Sequence, residues 1–427
     1  MKKYSINILF LFLTVIISNC DQSIDDSDNL KKQILPAYMT QIEKKHRLEN
    51  IDLRREERIA LFRDQRNPPQ GNIRFPAEFE PMDGVILSPD MDFKKYFKDL
   101  LKALAQVKNS KAYILVNGSG DKIIDEIIKP LNLPNNKYEI ISVPHETIWA
   151  RDYGPWATYV NNQRSFVDAL YYPTRPKDDA VPTYLGENFF NLEVFNMDLS
   201  VEGGNVMADG GGTCFTTDTV FEWNPPATDI YSLYEDYLGC KNTIITTSFP
   251  DEGTGHIDMY SKILDKNTIL VGESKKTWGA NQKEIDFLDE VADFFKNSET
   301  SSGNKWKVTR IPMEIEAGDM WGKFYHTYTN SLILNDTVII PTYNSNLDQE
   351  AKKIYELAMP DKKVITVDSS VVIEWGGAVH CTTVQIPVKD DDGGDNNDGG
   401  DNNDGGDNND GGEPATGCGN FLKFKQF

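Results

Sequence analysis

Residues 83–116 decide the fold class, and they read DGVILSPDMDFKKYFKDLLKALAQVKNSKAYILV. Two short apolar runs, at 83–87 and 112–116, are typical of buried strands, and the stretch between them, at 93–107, has apolar residues at helical spacing. The same alternation continues through residues 71–389. Further strands are predicted at 331–334 and 338–340, and further helices at 282–297 and 348–357. The pattern predicts one α/β body.

The chain begins with the features of an export signal. Lys2 and Lys3 precede an apolar run at residues 8–17, and Cys20 follows that run closely. The run is too short to span a membrane as a mature helix. We therefore predict a signal peptide at residues 1–19, a lipidated Cys20, and a bacterial lipoprotein at the cell envelope or surface. An ordinary secretory signal with an incidental cysteine is the alternative, and both predict export.

The segments on either side of the body are polar. Residues 20–70 are charged, with scattered apolar residues between Tyr38 and Phe62, which predicts a tether followed by a surface helix. Residues 390–427 include a repeat of GGDNND from Gly393 onward, which predicts a disordered acidic tail. Clustered Asp and Asn could bind calcium weakly, but the EF-hand order with its closing Glu is absent, which favours a flexible spacer.

The length and net charge of the chain restrict the classes of partner and substrate that it can have. A chain of 427 residues with 39% apolar content can bury a sizeable core. Its net charge of -22 argues against nucleic acid and anionic membranes as partners and suits a cationic substrate. Nine Asp residues between Asp390 and Gly412 contribute much of that charge, so it points only weakly to a substrate. Membrane contact is predicted only through the lipid anchor.

Five short segments place polar residues or glycines where strands are expected to end. They are residues 149–155 (WARDYGP), 202–205 (EGGN), 255–258 (GHID), 328–330 (YTN) and 376–381 (GGAVHC). Such strand ends and loops are where functional sites are found. The steps from Asp152 to Glu202, His256, Asn330 and Cys381 are 50, 54, 74 and 51 residues, which indicates a repeated supersecondary unit. A radial arrangement of five units would bring all five segments to one centre.

Two of these segments suggest nucleophilic chemistry. His256 and Asp258 would point to one face of a strand, an arrangement that suits acid–base work on a cation, although a strand-end His capped by Asp fits equally well. An isolated His-x-Asp lacks the further ligands of a zinc site. Cys381 offers a thiolate, whereas a buried structural cysteine is the alternative. The adjacent His380 would face the opposite side of a strand, so His256 is the predicted base.

The first segment and the cysteine count leave alternatives open. Trp149 could stack on a planar cation and Asp152 could accept two of its N–H groups, or Trp149 could be core and Asp152 could pair with Arg151 at the surface. The five cysteines are spaced too irregularly for a disulfide scaffold or a zinc site, so at least one free thiol is expected. Whether Cys214 and Cys240 pair is left open.

Together with residues 76–81 (PAEFEP), these segments resemble the agmatine deiminase and Porphyromonas-type peptidylarginine deiminase superfamily. The resemblance covers residues 74–387, and its ordered set of motifs is specific although each motif alone is weak. It implies the pentein fold, a five-bladed pseudo-symmetric α/β propeller, for residues 71–389. It implies no metal and no organic cofactor.

The resemblance also implies a role for particular residues. Cys381 would be the nucleophile, His256 the general acid and base, and Asp152 and Asp258 the carboxylates that clamp a guanidinium. Asn330 is similar to the family's active-site asparagine near the cysteine, and Trp149 to a wall of the pocket. Residues 172–179 resemble the segment by which the peptidyl branch holds the carboxylate of a C-terminal arginine. Arg175 fills one of two arginine positions there.

The predicted reaction is cysteine-dependent hydrolysis of a guanidino group with release of ammonia. Peptidylarginine is the preferred substrate, with peptidylcitrulline as product, because an exported protein meets peptides more readily than agmatine. Agmatine, which would yield N-carbamoylputrescine, is the alternative substrate. Amidino transfer and non-catalytic guanidinium binding are further alternatives. Analysis of the products would distinguish amidino transfer from hydrolysis. The joint presence of Cys381, His256, Asp152 and Asp258 argues against a protein that only binds.

Overall fold

The computed structural model describes residues 34–45, 68–119, 121–318 and 322–389. The predicted signal peptide, Cys20, most of the predicted tether and the acidic tail at 390–427 lie outside the described residues. Among the helices within these ranges, none has the length and apolar character needed to cross a membrane.

The described strands form five small sheets of three or four strands each. Their bounds are β1 (Ile73–Arg74), β2 (Met82–Leu87), β3 (Lys111–Val116), β4 (Tyr138–Ser142), β5 (Trp156–Val160), β6 (Gln163–Leu170), β7 (Val194–Ser200), β8 (Met207–Ala208), β9 (Thr213–Thr217), β10 (Asn242–Thr246), β11 (Ser261–Ile263), β12 (Thr268–Glu273), β13 (Lys307–Ala317), β14 (Lys323–Thr327), β15 (Leu332–Leu334), β16 (Thr337–Thr342), β17 (Lys363–Asp368) and β18 (Val384–Pro387).

Helices connect the strands. They are α1 (Lys94–Leu104), α2 (Ala150–Tyr153), α3 (Pro176–Asp179), α4 (Val181–Leu185), α5 (Thr219–Glu222), α6 (Ile230–Leu238), α7 (Gln282–Asn297), α8 (Asp348–Ala358) and α9 (Ser370–Ile373). Residues 41–45 are also helical. Short 3-10 turns lie at Met91–Phe93, Lys129–Leu131, Asn135–Lys137, Gly203–Asn205, Ile257–Met259 and Lys276–Trp278, and π turns lie at Ile124–Ile128 and Gly186–Phe190.

One three-strand unit recurs in all five sheets. Its first strand is antiparallel to the second, and its second is parallel to the third, as in β5–β6–β7, β8–β9–β10, β11–β12–β13, β15–β16–β17 and β18–β2–β3. Helices make the crossover that a parallel pair requires, such as α1 between β2 and β3. The α/β class is therefore confirmed and the repeated unit is present, whereas its closure into a five-bladed propeller stays a prediction.

The long helices follow their sequence signals closely. Helix α7 begins and ends where the pattern predicts, because Asn281 and Glu284 form a capping box at its start. Helix α1 buries Tyr96, Phe97 and Leu100 at helical spacing. It is shorter than the predicted 93–107, because Phe93 belongs to a separate 3-10 turn and residues 105–107 leave the helix in a turn. These helices cover the apolar strands of the sheets and so close the core.

Each three-strand unit is preceded by one of the five polar segments. Asp152, Glu202, His256, Asn330 and Cys381 lie in the loops that lead into β5, β8, β11, β15 and β18, in that order. The polar segments therefore stand before the first strand of each unit, and two of them, at 202–205 and 328–330, also follow strand ends as predicted, those of β7 and β14. Equivalent loops of the repeated units supply the candidate site.

Residues 35–45, which were predicted to belong to the tether and surface helix, pack onto the body through several buried residues, although four of the five residues in the helix at 41–45 are exposed. Ala37, Met39 and Glu43 are buried, and Met39 joins the apolar cluster that contains Tyr172. The Trp149 indole donates a hydrogen bond to the Leu35 carbonyl at 2.9 Å. The remainder of the predicted surface helix lies in residues 46–67, outside the described residues.

Cys214 and Cys240 form a disulfide between β9 and the end of α6, with 5.6 Å between their Cα atoms. Both cysteines are buried. Cys381 is free within the described part of the chain, which confirms the expected free thiol.

We predict that reducing this disulfide destabilises the protein. The bond closes a loop with a sequence separation of 26, for which the chain-entropy model gives a loss of about 3 kcal/mol in the free energy of unfolding. Urea unfolding with and without reductant measures the difference. The Cys214→Ala/Cys240→Ala variant is the control, because reductant should leave its unfolding curve unchanged; an equal response of both proteins would contradict the prediction.

Candidate active site

Asn330 holds the turn that carries Cys381. Its side-chain Oδ1 accepts hydrogen bonds from the backbone N–H groups of Ala378, His380 and Cys381 at 3.0, 3.1 and 3.2 Å. Three donors on one oxygen fix the orientation of the amide, so Nδ2 is the atom that faces the thiol. Asn330 Nδ2 donates to Cys381 Sγ at 3.1 Å. The asparagine thus orients the backbone of the turn and contacts the sulfur.

The thiol lies among negative charges. Cys381 is fully buried, and its Sγ lies 3.7 Å from Asp258 Oδ2. Burial raises the pKa of Cys381 well above its ordinary value, and the charges of Asp258 and Asp152 raise it further, while the hydrogen bond from Asn330 opposes the shift. The unliganded site therefore holds a protonated thiol at neutral pH.

The imidazole of His256 lies between two carboxylates. Its Nε2 is 2.5 Å from Glu202 Oε2, and its Nδ1 is 3.7 Å from Asp152 Oδ1. Burial alone would lower the pKa of His256, but Asp152 and Glu202 outweigh it and raise the pKa to about 10. His256 is therefore an imidazolium at neutral pH, held at Nε2 by Glu202.

Four buried polar atoms in this cluster have no hydrogen-bond partner among the described residues. They are Asp152 Oδ1, Asp152 Oδ2, Asp258 Oδ1 and His256 Nδ1. Burial raises the pKa of Asp152 to about 8, although the charge of His256 opposes the shift. Buried carboxylate oxygens without donors are costly, and a planar cation with several N–H groups would satisfy them. The cluster is thus suited to a guanidinium.

Gly204 keeps the space between these groups open. A Cβ at this position would lie 2.4 Å from His256 Nδ1 and 3.0 Å from Asp152 Oδ1, so any larger residue would fill the gap. Gly377 has the same effect beside the thiol, where a Cβ would lie 2.7 Å from Cys381 Sγ and 2.9 Å from the Trp149 ring. The two glycines therefore bring backbone close to the site without blocking it.

Asp258 is held by a chain of charged groups. His380 Nδ1 is 2.6 Å from Asp258 Oδ2, and His380 Nε2 is 3.0 Å from Glu78 Oε2, which also binds Lys262 at 2.5 Å. Burial would raise the pKa of Asp258, but its hydrogen bond with His380 holds the pKa below its ordinary value. Asp258 is therefore ionised, with Oδ1 left for another partner.

Two local predictions about these loops are wrong. Residues 257–259 form a 3-10 turn and not a strand, so His256 and Asp258 reach the site from a turn. Residues 379–382 also form a turn, and β18 begins only at Val384. Because the alternation of faces applies to strands, it does not separate His380 from Cys381, and both side chains contact Asp258.

Trp149 lies at the wall of the cluster and is fully buried. The alternative in which Arg151 and Asp152 form a surface ion pair is wrong, because Asp152 is buried and Arg151 binds the Gln385 side chain. Six of the predicted site residues thus come together, namely Cys381, His256, Asp152, Asp258, Asn330 and Trp149.

Arg175 lies apart from this group. Its guanidinium binds Glu43, the Tyr171 hydroxyl and the Tyr38 carbonyl. Its carbon Cζ lies 4.6 Å from the centroid of the Tyr172 ring. The described contacts of Arg175 are therefore made with the N-terminal segment and two tyrosines.

Sequence reasoning assigned no role to Glu202, which contacts His256, to His380, which contacts Asp258, or to Glu78, which contacts His380. Glu202 and Glu78 belong to motifs that the sequence singled out, and an acidic residue within such a motif was the available signal. Within the part of the chain that the structure describes, no group of three or more His, Cys, Asp or Glu side chains is arranged to hold a metal ion. The expectation of chemistry without metal or cofactor stays a prediction.

Comparison with known proteins identifies the family. The model of the Porphyromonas-type peptidyl-arginine deiminases matches residues 74–387, well over half of the chain. The chain belongs to this family. It is an arginine-type deiminase, a hydrolase that acts on C–N bonds of linear amidines.

Relatives of this deiminase include agmatine deiminases. The agmatine deiminase of Pseudomonas aeruginosa (strain LESB58) is 24% identical over 368 residues, which cover 75% of this chain and 97% of that protein. The fold matches the agmatine deiminase of Enterococcus faecalis with a TM-score of 0.66 at 21% identity, over 76% of this chain and 100% of that one. It also matches an agmatine deiminase of C. jejuni with substrate bound, with a TM-score of 0.63 at 19% identity, over 74% and 97%.

We predict that Asn330→Ala impairs the deiminase in two ways. The N–H groups of Ala378 and Cys381 lose their acceptor, whereas that of His380 keeps the Asn330 backbone carbonyl, so the free energy of unfolding should fall by about 3 kcal/mol. The thiolate also loses its donor, so kcat/KM should fall more than about a hundredfold. Urea unfolding and ammonia release measure the two effects.

Tyr355→Phe is the matched control for that variant. The Tyr355 hydroxyl bonds the Tyr328 carbonyl and the Ser331 hydroxyl, so its removal loosens the same loop without touching the thiol. Turnover should stay near that of the wild type. If both variants lost turnover to the same degree, Asn330 would act only through the stability of the loop.

We further predict that guanidinium binding strengthens as the pH rises. Asp152, with its pKa raised to about 8, is protonated below that pH, whereas binding a cation requires the carboxylate. The affinity of the Cys381→Ala variant for agmatine should therefore rise about tenfold for each pH unit between about pH 6 and 8. Calorimetry in buffers of different ionisation enthalpy measures both the affinity and the proton released.

The Cys381→Ala background removes the titrating thiol from that measurement. Adding Asp152→Asn should weaken binding and abolish its pH dependence. An affinity that stayed constant from about pH 6 to 8 in the Cys381→Ala variant would contradict the raised pKa of Asp152.

Proposed function

We propose that this deiminase hydrolyses a small guanidine without a carboxylate, of which agmatine is the type, and releases ammonia and a ureido product. The observation that carries the proposal is the group of unpartnered atoms of Asp152, Asp258 and His256 beside the Cys381 thiol. A guanidinium has donors for the carboxylates and an electrophilic carbon for the sulfur. The N–H groups of a guanidinium therefore have acceptors in this site, and its carbon has a nucleophile.

Substrate binding prepares the nucleophile. The guanidinium donates N–H groups to Asp152 and Asp258, and its positive charge lowers the pKa of both Asp152 and Cys381. The protons of the Cys381 thiol and of Asp152 are released to solvent as the cation binds, and the thiolate then attacks the guanidino carbon and forms a neutral tetrahedral adduct. Asn330 Nδ2–H, which contacts Sγ at 3.1 Å, stabilises the anionic sulfur before attack.

His256 then acts first as an acid and next as a base. Its Nδ1–H, which makes no hydrogen bond to the described residues, protonates the departing nitrogen, and ammonia leaves with a thiouronium remaining on Cys381. Neutral His256 takes a proton from water, whose oxygen attacks the same carbon. Collapse of the second adduct breaks the C–S bond and restores the thiolate, and the proton of the new C–OH group passes to solvent, which leaves the neutral ureido product. Glu202 positions the imidazole throughout by holding Nε2.

Agmatine is favoured over peptidylarginine for three reasons. The relatives reported above are agmatine deiminases. The site residues are at most 3% exposed, which suits a small molecule that is enclosed. Arg175 is already paired with Glu43, so it offers no free charge to the carboxylate of a C-terminal arginine. Peptidylarginine, which the sequence favoured, remains the second candidate because the family takes its name from it.

Two further features are proposed with the function. We infer that the five sheets are the blades of one closed propeller, since five equivalent loops contribute to one site. We also infer export with Cys20 as the lipid anchor, and the Cys214–Cys240 disulfide supports an oxidising compartment.

The test is a substrate panel with the protein lacking residues 1–19. Agmatine, free arginine, and peptides with internal or C-terminal arginine are incubated in mild reductant, and ammonia and ureido product are quantified. Agmatine should give equal amounts of the two products. Cys381→Ala should lose turnover by at least about 10⁴-fold while still binding agmatine, because the nucleophile is gone and the carboxylates remain.

Thr383→Ala is the matched control for the cysteine variant. Thr383 lies two residues further along, and its hydroxyl bonds the Val379 carbonyl in the same turn without contact to the sulfur. It should retain most turnover. Turnover of peptides with no turnover of agmatine would overturn the proposed substrate, and ammonia release by Cys381→Ala would overturn the mechanism.

A further inference from the structure

Glu43 and Arg175 form a buried, bidentate ion pair. Arg175 Nε lies 2.8 Å from Glu43 Oε1 and Nη2 lies 3.1 Å from Oε2, and the side chains are 0% and 8% exposed. The Thr174 hydroxyl also donates to Glu43 Oε1, at 3.1 Å. Paired donors of this kind match a carboxylate in geometry as well as charge. Arg175 is thus neutralised by a residue 132 positions away in sequence.

The carboxylate of Glu43 is also held in place by Thr40. Thr40 N–H donates to Glu43 Oε2 at 2.8 Å, and Glu43 N–H donates to Thr40 Oγ1 at 3.3 Å, which is a capping box. Burial opposes ionisation, but the hydrogen bond and charge of Arg175 hold the pKa of Glu43 below its ordinary value. Glu43 is therefore a fixed anion.

Tyr172 connects this ion pair to the active site. Its ring contacts the Arg175 guanidinium, and burial together with the charge of Glu202 raises the pKa of its hydroxyl. That hydroxyl donates to the Ala37 carbonyl at 3.1 Å. Trp149, at the wall of the site, donates to the Leu35 carbonyl. Residues 35–43 therefore extend from the wall of the site to Arg175.

The carboxylates of the active site and the guanidinium of Arg175, which have opposite charges, are thus separated by the ring of Tyr172. On one side are the carboxylates that suit a guanidinium, and on the other is an arginine that suits an anion. An unpaired Arg175 would favour a guanidine that also carries a carboxylate, such as free arginine. We propose that Glu43 is a specificity-determining residue, which occupies Arg175 and thereby excludes carboxylate-bearing guanidines from the site. This inference rests on the proposed function.

A competing carboxylate gains little by displacing Glu43. Glu43 is tethered and already desolvated, whereas a substrate carboxylate must lose its water and its freedom. Displaced Glu43 would also remain as a buried charge without its partner unless residues 35–43 moved away. The other cations beside the site are engaged, since Arg151 binds Gln385 and Lys262 binds Glu78. Guanidines with a carboxylate are therefore excluded, because the Glu43 carboxylate already occupies the place on Arg175 that the substrate carboxylate would take.

Agmatine and arginine test the inference because they differ only in the carboxylate. The ratio of their kcat/KM values is measured for the wild type and for Glu43→Gln. The wild type should favour agmatine. Glu43→Gln keeps the side-chain shape and frees the charge of Arg175, so the ratio should move at least about tenfold towards arginine, mainly through a lower KM for arginine.

Two variants identify the cause of that shift. Glu43→Gln/Arg175→Gln removes the anion and the cation together, so the gain for arginine should disappear. Lys44→Gln changes the charge of the exposed neighbouring residue, and its ratio should match that of the wild type. Circular dichroism checks that each variant is folded. If Glu43→Gln is not folded, Glu43→Asp is read instead, because its shorter side chain cannot reach both nitrogens of Arg175.

The same pair of ligands is also titrated into Cys381→Ala and Cys381→Ala/Glu43→Gln by calorimetry. If the wild type did not turn over agmatine, only the proposed function would be contradicted. The inference about Glu43 would still be tested, because calorimetry measures the binding of both ligands without turnover. An unchanged arginine-to-agmatine ratio in folded Glu43→Gln, in both turnover and binding, would overturn the inference. A wild type that already prefers arginine would overturn it as well.

Discussion

The central physical constraint in this protein is the burial of three carboxylates around one thiol. Glu202 is compensated by the imidazolium of His256, and Asp258 by its hydrogen bond with His380. Within the described residues neither oxygen of Asp152 accepts a hydrogen bond, and burial raises its pKa to about 8. A buried acid without partners is unfavourable in the free protein. The free energy lost there is recovered when a cation binds, which couples the stability of the site to its ligand.

The repeated unit explains how such a site can be assembled. Each loop that leads into a first strand contributes one or two of its groups, so no single segment has to fold around the ligand. The loops are held by strands on either side and by local bonds, of which the three N–H groups on Asn330 are the clearest example. Rigid placement matters because a deiminase must keep sulfur, acid and carboxylates in register during two successive attacks on one carbon.

The sequence predicted what depends on local pattern and missed what depends on distant partners. Alternating apolar runs gave the α/β class, and ordered motifs led to Cys381, His256, Asp152 and Asp258, which the structure brings together. His380 was misjudged because the strand rule was applied to a turn. Glu43 was assigned to a surface helix, since its burial depends on Arg175, which no local periodicity reveals. Glu202 lay within a recognised motif, but the motif does not state that its carboxylate binds His256.

The charges that recognise the substrate also control the nucleophile. Asp152 and Asp258 raise the pKa of the Cys381 thiol, so the free protein keeps it protonated and buried, in the state least reactive towards oxidants and disulfides. A bound guanidinium neutralises these carboxylates and removes the cause of the shift. Thiolate therefore forms where its target is already in place, and a neutral or anionic ligand would not have this effect. In a chain that also carries a disulfide, this arrangement limits thiol chemistry to the occupied site.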